Sequence, residues 1–266
     1  MSATDAARDE PALSIDVNSD LGEGYGAWSF GDDAAMLALV TSANIACGFH
    51  AGDPATILRT LQAAAARSVV VGAHLAYPDL AGFGRRFVDV GPADLFADSA
   101  YQLGALIALA RVAGTEVRYV KPHGALYNRI VVDPVQSDAV ADAVAAVDPG
   151  LAVLGLGGEI ERSCRERGLR FEREAFPDRG YLPDGTLAPR AAAGALVTDP
   201  AEVAERAVAM ARGVVVCIDG SVLPVAPASL CLHGDSPSAV ASGRAVRAAL
   251  ADGGVEVRPF LPMGSG

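Results

Sequence analysis

Short apolar runs alternate along the chain with segments whose apolar residues have helical spacing. Eight runs have the length and composition of buried strands, and they span residues 13–19, 42–47, 69–75, 117–122, 151–156, 169–175, 213–219 and 228–233. The clearest helices are predicted at 54–67, 93–113 and 237–252, the first capped by Asp53 and the last by Ser236. This alternation favours right-handed βαβ units and a mostly parallel sheet. We therefore predict an α/β protein, with an irregular (β/α) barrel as the leading architecture and an open doubly wound sheet as the alternative.

The composition is typical of a globular α/β protein. With 266 residues, of which 51% are hydrophobic and 20% charged, the chain suits one large domain or two small ones, and no repeat or linker argues for two. We predict a disordered tail at 1–12 and a single barrel catalytic domain at 13–262. The net charge of −11 opposes nucleic acid or an anionic membrane as a partner. The first dozen residues carry no secretion signal, and no apolar stretch of about 20 residues follows, so we expect a cytoplasmic protein.

The four cysteines predict neither a disulfide nor a zinc framework. They occur singly, without C-x-x-C spacing, at Cys47, Cys164, Cys217 and Cys231. This usage is typical of small core residues in a reducing compartment. Cys47 lies three residues before His50 in a glycine-containing turn, so it is also a candidate nucleophile.

All four histidines follow apolar runs, at the points where the chain changes to small or turn-forming residues. They are His50, His74, His123 and His233. In a parallel barrel the C-terminal ends of the strands are where sites are built from several strands at once. One histidine at such a place is often a hydrogen-bonded structural residue. Four of them favour a chemical role.

The first predicted strand carries polar residues at alternate positions. Asp16, Asn18 and Asp20 are two residues apart, so they share one face of the strand. Inside a barrel that face is the interior, where an unpaired carboxylate is costly. The alternative is an edge strand whose polar face lies in water.

Further polar residues follow or end the later strands. They are Asn44, Lys121, Glu174, Arg179 and Tyr181. A lysine, several histidines and carboxylates at one rim are suited to general acid/base catalysis and to stabilising an oxyanion.

Long segments of the chain resemble the signature blocks of a known family. The segments are DVNSDLGEGYGAW, SANIACGFHAGDP, GAHLAYPD, VRYVKPHGALYN, EAFPDRGYLPDG and LCLHGDSPSAV. In this order they are similar to the blocks of the LamB/YcsF family, from about residue 13 to the closing VEVRPF. The resemblance implies a divergent, seven-stranded (β/α) barrel similar to the glycoside hydrolase/deacetylase fold. It also implies a 5-oxoprolinase made of three different subunits, which opens the lactam of 5-oxoproline to L-glutamate while ATP becomes ADP and phosphate.

With that reaction in view, we predict roles for the polar residues. Asp20 or Glu174 is the predicted general base, His123 the acid toward the leaving nitrogen, and Lys121 the partner of the oxyanion. The predicted substrate-binding residues are Asn18, Asn44, His50, His74, Arg179, Tyr181 and His233. The chain contains no G-x-x-x-x-G-K-[ST] loop, and LGLGGE at 154–159 is interpreted as a tight turn between strand and helix. We therefore expect the two other subunits to handle most of the ATP.

Three alternatives remain open from the sequence. The resemblance of the fold to metal-dependent deacetylases implies a second mechanism, in which a divalent metal held by Asp20, His50 and His74 activates water, although the paired H-x-x-x-H spacing is absent. The chain could then be a metal-dependent polysaccharide or amide deacetylase that needs neither ATP nor partners. It could instead be a non-catalytic subunit that binds the substrate.

Overall fold

Seven parallel strands close into a barrel in the computed structural model, which describes residues 13–234 and 238–262. The described strands are β1 (Ser14–Leu21), β2 (Ser42–Ala46), β3 (Val70–His74), β4 (Val117–Val120), β5 (Ala152–Gly155), β6 (Phe171–Ala175), β7 (Val214–Val216), β8 (Val222–Pro224), β9 (Ser229–Cys231) and β10 (Glu256–Val257). The barrel runs in the order β1-β2-β3-β4-β5-β6-β9, and β9 pairs with β1 to close it. The predicted irregular seven-stranded (β/α) barrel is confirmed.

Helices cover the outside of the barrel. They are α1 (Asp33–Met36), α2 (Pro54–Ala65), α3 (Pro92–Val112), α4 (Gly124–Arg129), α5 (Pro134–Val147), α6 (Glu159–Glu166), α7 (Pro200–Ala211) and α8 (Ala239–Asp252). Asp53 caps α2 as predicted, because its carboxylate accepts from the N–H groups of Ala55 and Thr56. The predicted cap Ser236 and the predicted tail at 1–12 lie outside the described residues.

The barrel interior has an apolar floor and a polar upper part. Val70, Tyr119, Ala152 and Leu154 pack together with Leu261 from the C-terminal segment. Gly72 leaves the space that the Tyr119 ring occupies, because a Cβ at this glycine would lie 2.2 Å from the ring. With this end filled, the interior is left open toward the C-terminal ends of the strands.

One predicted strand does not belong to the barrel. Within the run 213–219, β7 pairs antiparallel with β8 in a separate two-stranded sheet. Val214 and Val216 are exposed while Val215 between them is buried, so only one face of β7 packs against the protein. An apolar run fits the strand pattern equally well in such a two-stranded sheet. The sequence therefore did not distinguish a barrel strand from a strand outside the barrel.

Helix α3 departs from the expectation that no apolar stretch is long enough to span a membrane. Its 21 residues meet that criterion by length and composition. Its face containing Leu95, Leu103 and Leu106 is buried in the core, and the helix packs against α5. The apolar character of α3 thus serves packing onto the barrel and its neighbour.

Between β5 and α6 the chain makes the predicted tight turn. β5 ends at Gly155 and α6 begins at Glu159, after Gly157 and Gly158 adopt positive φ angles of 105° and 77°. A Cβ at Gly158 would lie 2.2 Å from the carbonyl oxygen of Val131, so the glycine is required by a close backbone approach.

Candidate functional site

A cavity of about 420 Å³ lies at the C-terminal end of the barrel. Strands β1, β3, β4 and β9 direct polar residues to it from their ends or the residues just beyond, namely Asp20, His74, Lys121, His123 and His233. Loops complete the wall with Arg85, Arg179 and Arg190. Six of the residues that the sequence singled out from distant segments therefore meet at one cavity. Its wall carries several positive groups although the whole chain is acidic.

Lys121 lies at the base of this cavity and is the only lysine in the sequence. Its Nζ is 3.2 Å from Oδ1 of Asp20 and 3.2 Å from Oε2 of Glu174, and it donates to Oδ1 of Asn18 and to Sγ of Cys231. Burial alone would lower the pKa of Lys121, but the charges of Asp20 and Glu174 and the hydrogen bond to Cys231 outweigh it and raise the pKa well above its usual value. The lysine is therefore held as a cation at neutral pH.

Asp20 is shared between Lys121 and His74. Its Oδ2 lies 3.3 Å from Nε2 of His74, and its Oδ1 accepts from Asn44 at 2.8 Å. Burial would raise the pKa of Asp20, but the positive charges of His74 and Lys121 outweigh burial and hold the pKa well below its usual value. A carboxylate kept ionised at the edge of a cavity can accept a proton or orient a water.

The two asparagines lie below the cavity and brace it. Asn44 donates to Oδ1 of Asn18 at 2.7 Å, and Asn18 donates to Ser229 at 2.6 Å and to Oε2 of Glu174 at 3.3 Å. The hydroxyl of Tyr119 donates to Oδ1 of Asn44. Both predicted substrate-binding asparagines are fully buried. In this geometry they hold Asp20 and Glu174 in place.

Glu174 faces Lys121 with one oxygen, while its other oxygen is buried and has no hydrogen-bond partner. Tyr127, which lines the cavity, has a buried hydroxyl in the same condition. Burial raises the pKa of Tyr127 well above its usual value, and the negative charge of Glu174 adds to the effect. A side-chain hydrogen bond with Glu174 also contributes to the raised pKa of Tyr127, so this phenol is the donor within reach of the carboxylate.

Three histidines form a cluster at one side of the cavity, together with Glu23, which the sequence analysis left without a role. Nδ1 of His123 lies 2.9 Å from Nε2 of His74. The rings of His50 and His123 stack with centroids 3.9 Å apart, and Nε2 of His50 lies 3.1 Å from Oε1 of Glu23. Each of these four residues offers one donor atom within 4.8 Å of the others. Three nitrogens and a carboxylate suit a divalent metal.

This group differs from the metal ligands proposed from the sequence. Asp20 does not belong to it, although Asp20 contacts His74, and Glu23 and His123 take its place. Burial lowers the pKa of His50 and of His123 well below the usual value, and the neighbouring histidines lower both further. Glu23 follows β1 in a glycine-rich turn, and its position near His50 was not predictable from spacing alone.

His233 forms a pair with Asp178, a second residue that sequence reasoning missed. Nδ1 of His233 lies 2.6 Å from Oδ2 of Asp178, and the Phe176 ring stacks on the imidazole at 5.6 Å. Burial would raise the pKa of Asp178, but the positive charge of His233 outweighs it and lowers the pKa. A carboxylate at one ring nitrogen fixes the orientation of the imidazole and leaves the other nitrogen for chemistry.

Arg179 is buried beside the cavity, and its guanidinium donates to the carbonyl oxygens of Ala195 and Ala188. Burial lowers the pKa of Arg179, and the positive charges of Arg190 and Arg85 lower it further. These three cations therefore lie close enough to repel one another. Their combined field favours an anionic ligand in the cavity.

Tyr181 is not brought to this cavity. Its ring is buried, and its hydroxyl accepts a hydrogen bond from the N–H of Phe176 at 2.8 Å. It lines a separate cavity of about 430 Å³ to which Glu174 also contributes. Tyr181 thus supports the segment that follows β6.

The four cysteines are buried and unpaired, as predicted. Burial raises the pKa of Cys47 to about 12, so this thiol stays protonated at neutral pH and lacks the thiolate that a nucleophile needs. Cys231 instead contacts Lys121, a role that its place in an apolar run did not reveal.

Comparison with known proteins places this chain in a family. The model of the LamB/YcsF family matches residues 15–264. The A-type subunit of the 5-oxoprolinase of Mycobacterium avium (strain 104) is 57% identical over 249 residues, covering 92% of this chain and 98% of that protein. An A-type 5-oxoprolinase subunit of Agrobacterium fabrum is 55% identical over 248 residues, covering 92% and 97%. The crystal structure of the lactam utilization protein from Thermus thermophilus superposes with a TM-score of 0.89 at 47% identity, covering 93% of this chain and 100% of that one.

Proposed function

The chain belongs to the LamB/YcsF family, and from this premise we propose that it is the A-type subunit of an ATP-dependent 5-oxoprolinase and carries the site at which the lactam is opened. One observation carries the proposal. A chain 57% identical to a relative named as such a 5-oxoprolinase subunit has Asp20, Lys121 and His233 at a single cavity. Glu174 and Asp178 lie behind them, paired with Lys121 and His233. This is a set of groups for acid/base chemistry on a polar carbonyl compound.

The charge of the cavity agrees with 5-oxoproline as the substrate. This molecule is a small ring that carries a carboxylate and a lactam carbonyl. Arg179 with its neighbours Arg85 and Arg190 offers a positive field for the carboxylate. Lys121 lies deeper and is better placed for the ring carbon, where it can stabilise the oxyanion that forms when the attacking water loses its proton.

Coupling to ATP follows from the stability of the lactam. In the proposed sequence the lactam oxygen attacks the γ-phosphorus of ATP and ADP leaves. Water then adds to the ring carbon, the carbon–nitrogen bond breaks, and the nitrogen takes a proton to become the amine of γ-glutamyl phosphate. A second water hydrolyses the acyl phosphate, which gives L-glutamate and phosphate. The chain lacks a phosphate-binding P-loop, so we assign most of the nucleotide handling to the other two subunits, the B-type and C-type chains.

Asp20 and Glu174 are the two candidates for the base that activates water. Asp20 is held ionised by Lys121 and His74 and lines the cavity, whereas Glu174 lies deeper with one unpartnered oxygen. We assign the base to Asp20 because a base must reach the water that attacks. Glu174 then keeps Lys121 charged and positioned.

The acid toward the leaving nitrogen was predicted to be His123. Both ring nitrogens of His123 are engaged, one by the Phe83 carbonyl oxygen at 2.8 Å and one by His74. His233 lines the same cavity and is oriented through Nδ1 by Asp178, so its Nε2 is better placed to deliver a proton. We therefore assign the acid to His233, and the role of His123 as an acid stays a prediction from the sequence.

The proposal is tested by measuring glutamate release from 5-oxoproline with this chain alone, with the B-type and C-type subunits alone, and with the mixture, each with and without ATP. ATP-dependent glutamate only in the mixture is the expected result. ATP-independent activity of the isolated chain on amides or acetylated sugars would replace the proposal by a deacetylase-like function. Unchanged turnover of the complex after replacement of Asp20 would indicate that this chain binds the substrate but does not catalyse its hydrolysis. Tight ATP binding by the isolated chain in calorimetry would contradict the division of labour.

A further inference from the structure

The hydrogen bonds of His74 and His123 determine which of their ring nitrogens carry hydrogen. Nδ1 of His74 lies 2.8 Å from the carbonyl oxygen of Lys121, and Nε2 of His123 lies 2.8 Å from the carbonyl oxygen of Phe83. A carbonyl oxygen can only accept, so the hydrogen of each neutral ring is on that nitrogen. When both rings are neutral, the remaining nitrogens, Nε2 of His74 and Nδ1 of His123, are therefore both bare.

These two bare nitrogens face each other at 2.9 Å. Two lone pairs at this distance repel, so either a proton on Nε2 of His74, which Asp20 favours, or a metal ion bound to both nitrogens accounts for the short separation. Both side chains are almost fully buried, although each contributes to the wall of the cavity. A metal ion beside the pair, at about 2.0–2.1 Å from each nitrogen, removes the conflict, since each neutral imidazole then donates its lone pair to the same centre.

Glu23 supplies negative charge to the same point. Its Oε1 lies 3.8 Å from Nδ1 of His123, a separation that two ligands of one tetrahedral metal can adopt. Asp20 approaches from the other side, with Oδ2 at 3.3 Å from Nε2 of His74. The second nitrogens of both histidines end on backbone carbonyls, which is the usual support for histidines that bind metals.

His50 has a different part in this arrangement. Its ring is stacked on that of His123 at an angle of 10° between planes. An ion bound in the plane of the His123 ring cannot also lie in the parallel plane of His50. His50 contacts Oε1 of Glu23 at 3.1 Å, so it positions the carboxylate.

We propose that the chain binds one divalent cation of the Zn²⁺ class through Nε2 of His74, Nδ1 of His123 and the carboxylate of Glu23, with His50 as the positioning residue for Glu23. This set differs from Asp20, His50 and His74, which the sequence suggested. Two imidazoles and a carboxylate leave a coordination position toward the cavity, which is the pattern of a catalytic zinc site. Such an ion lowers the pKa of a bound water or polarises a carbonyl group. The site stands on these contacts and does not depend on the proposed reaction.

The experiment uses the chain alone, stripped with a chelator and titrated with Co²⁺, followed by visible absorption, with Zn²⁺ competition and elemental analysis. We expect about one equivalent of metal and a tetrahedral or five-coordinate Co²⁺ spectrum. His74→Asn, His123→Asn and Glu23→Gln should each weaken binding by about 100-fold or more, and His50→Gln by about 10–100-fold, the loss typical of residues that support a ligand. His233→Asn is the matched control, because it removes a histidine from the same cavity and should leave metal affinity unchanged.

A readout on the unmodified chain avoids the question of whether a variant folds. The chain has only four histidines, so ¹⁵N-histidine NMR can follow each of them. Zn²⁺ should shift the resonances of His74 and His123 strongly and those of His233 little. Failure to bind Co²⁺ or Zn²⁺, or binding that shifts His233 but not the other pair, would overturn the metal site. Neither result would alter the test of lactam opening, which is measured as glutamate release by the complex.

Discussion

Two aspartates on the same face of β1, only four residues apart, have opposite protonation behaviour. Burial raises the pKa of Asp16 from 3.8 to about 6, and hydrogen bonds from Ser229, Thr41 and Ser42 offset only part of this rise. The pKa of Asp20 lies well below its usual value, because the charges of His74 and Lys121 outweigh burial. Both carboxylates point into the barrel, so the strand alone does not explain the contrast.

The difference lies in the kind of donor that each carboxylate meets. Asp16 meets neutral hydroxyls low in the barrel, which can satisfy a carboxyl group in either protonation state. Asp20 meets a lysine and a histidine next to the cavity, and these favour the ionised form. The lower interior is therefore suited to holding strands together, and the upper interior to charge and proton transfer.

The largest effect should come from replacing Lys121, the cation that pairs with Asp20 in the upper interior of the barrel. Lys121→Met leaves Asp20 and Glu174 buried without their partner. We expect the free energy of unfolding to fall by about 3–5 kcal/mol in urea. Glutamate release by the complex should fall by about 10²–10³-fold or more, through loss of the oxyanion partner.

The double variant Lys121→Met with Asp20→Asn is the control for stability, since it keeps the net charge of the group unchanged. It should recover much of the unfolding free energy but none of the activity. Recovery of glutamate release in this variant would show that Lys121 is only a structural counter-ion.

The next largest effect should come from Asp178, which orients His233. Asp178→Asn should lower kcat of the complex by about 10²-fold with little change in KM, because general acid catalysis contributes about 10²–10⁴-fold. His233→Gln should lower kcat by a similar factor, and the double variant should be no worse than the single ones. Additive losses, or a change confined to KM, would point to substrate binding instead.

Asp16→Asn should change the pH dependence of stability and leave glutamate release unchanged. With a folded pKa of about 6 against 3.8, the native state keeps a proton that the unfolded chain loses. This contribution is complete below about pH 4 and is lost as pH rises through about 6, and a shift of about two units is worth about 3 kcal/mol. The unfolding free energy of the wild type, relative to the variant, should therefore fall between about pH 4 and about pH 7. A constant difference would contradict the raised pKa.

Ser42→Ala should have the smallest effect. Ser42 donates to Oδ1 of Asp16 at 2.7 Å, and losing this bond should cost about 1 kcal/mol in urea unfolding. Because that bond lowers the pKa of Asp16, the pH midpoint described above should move upward. A midpoint that stays in place would show that the other two hydroxyls fully determine the protonation of Asp16.

Much of the barrel was predictable because strand and helix periods are local. Seven of the eight predicted strand runs contain barrel strands, and α2 begins behind Asp53 as expected. The exception, β7, shows the limit of the pattern: an apolar run has the same signature in a barrel and in an outer ribbon. The short strand β10, which pairs with the start of β1, left no signal of its own.

The linear order of residues already specified the family, the alternation of strands and helices, and the polar residues at strand ends. It also specified that Asp16, Asn18 and Asp20 share a face, because side chains two apart on a strand always do. Which groups meet depended on the folded barrel. Glu23 reaches the histidines, Asp178 reaches His233 across 55 residues, and Tyr181 turns away from the cavity. Protonation states depend on burial and on neighbours brought together by barrel closure, so two aspartates on one strand acquire opposite chemistry only in the folded chain.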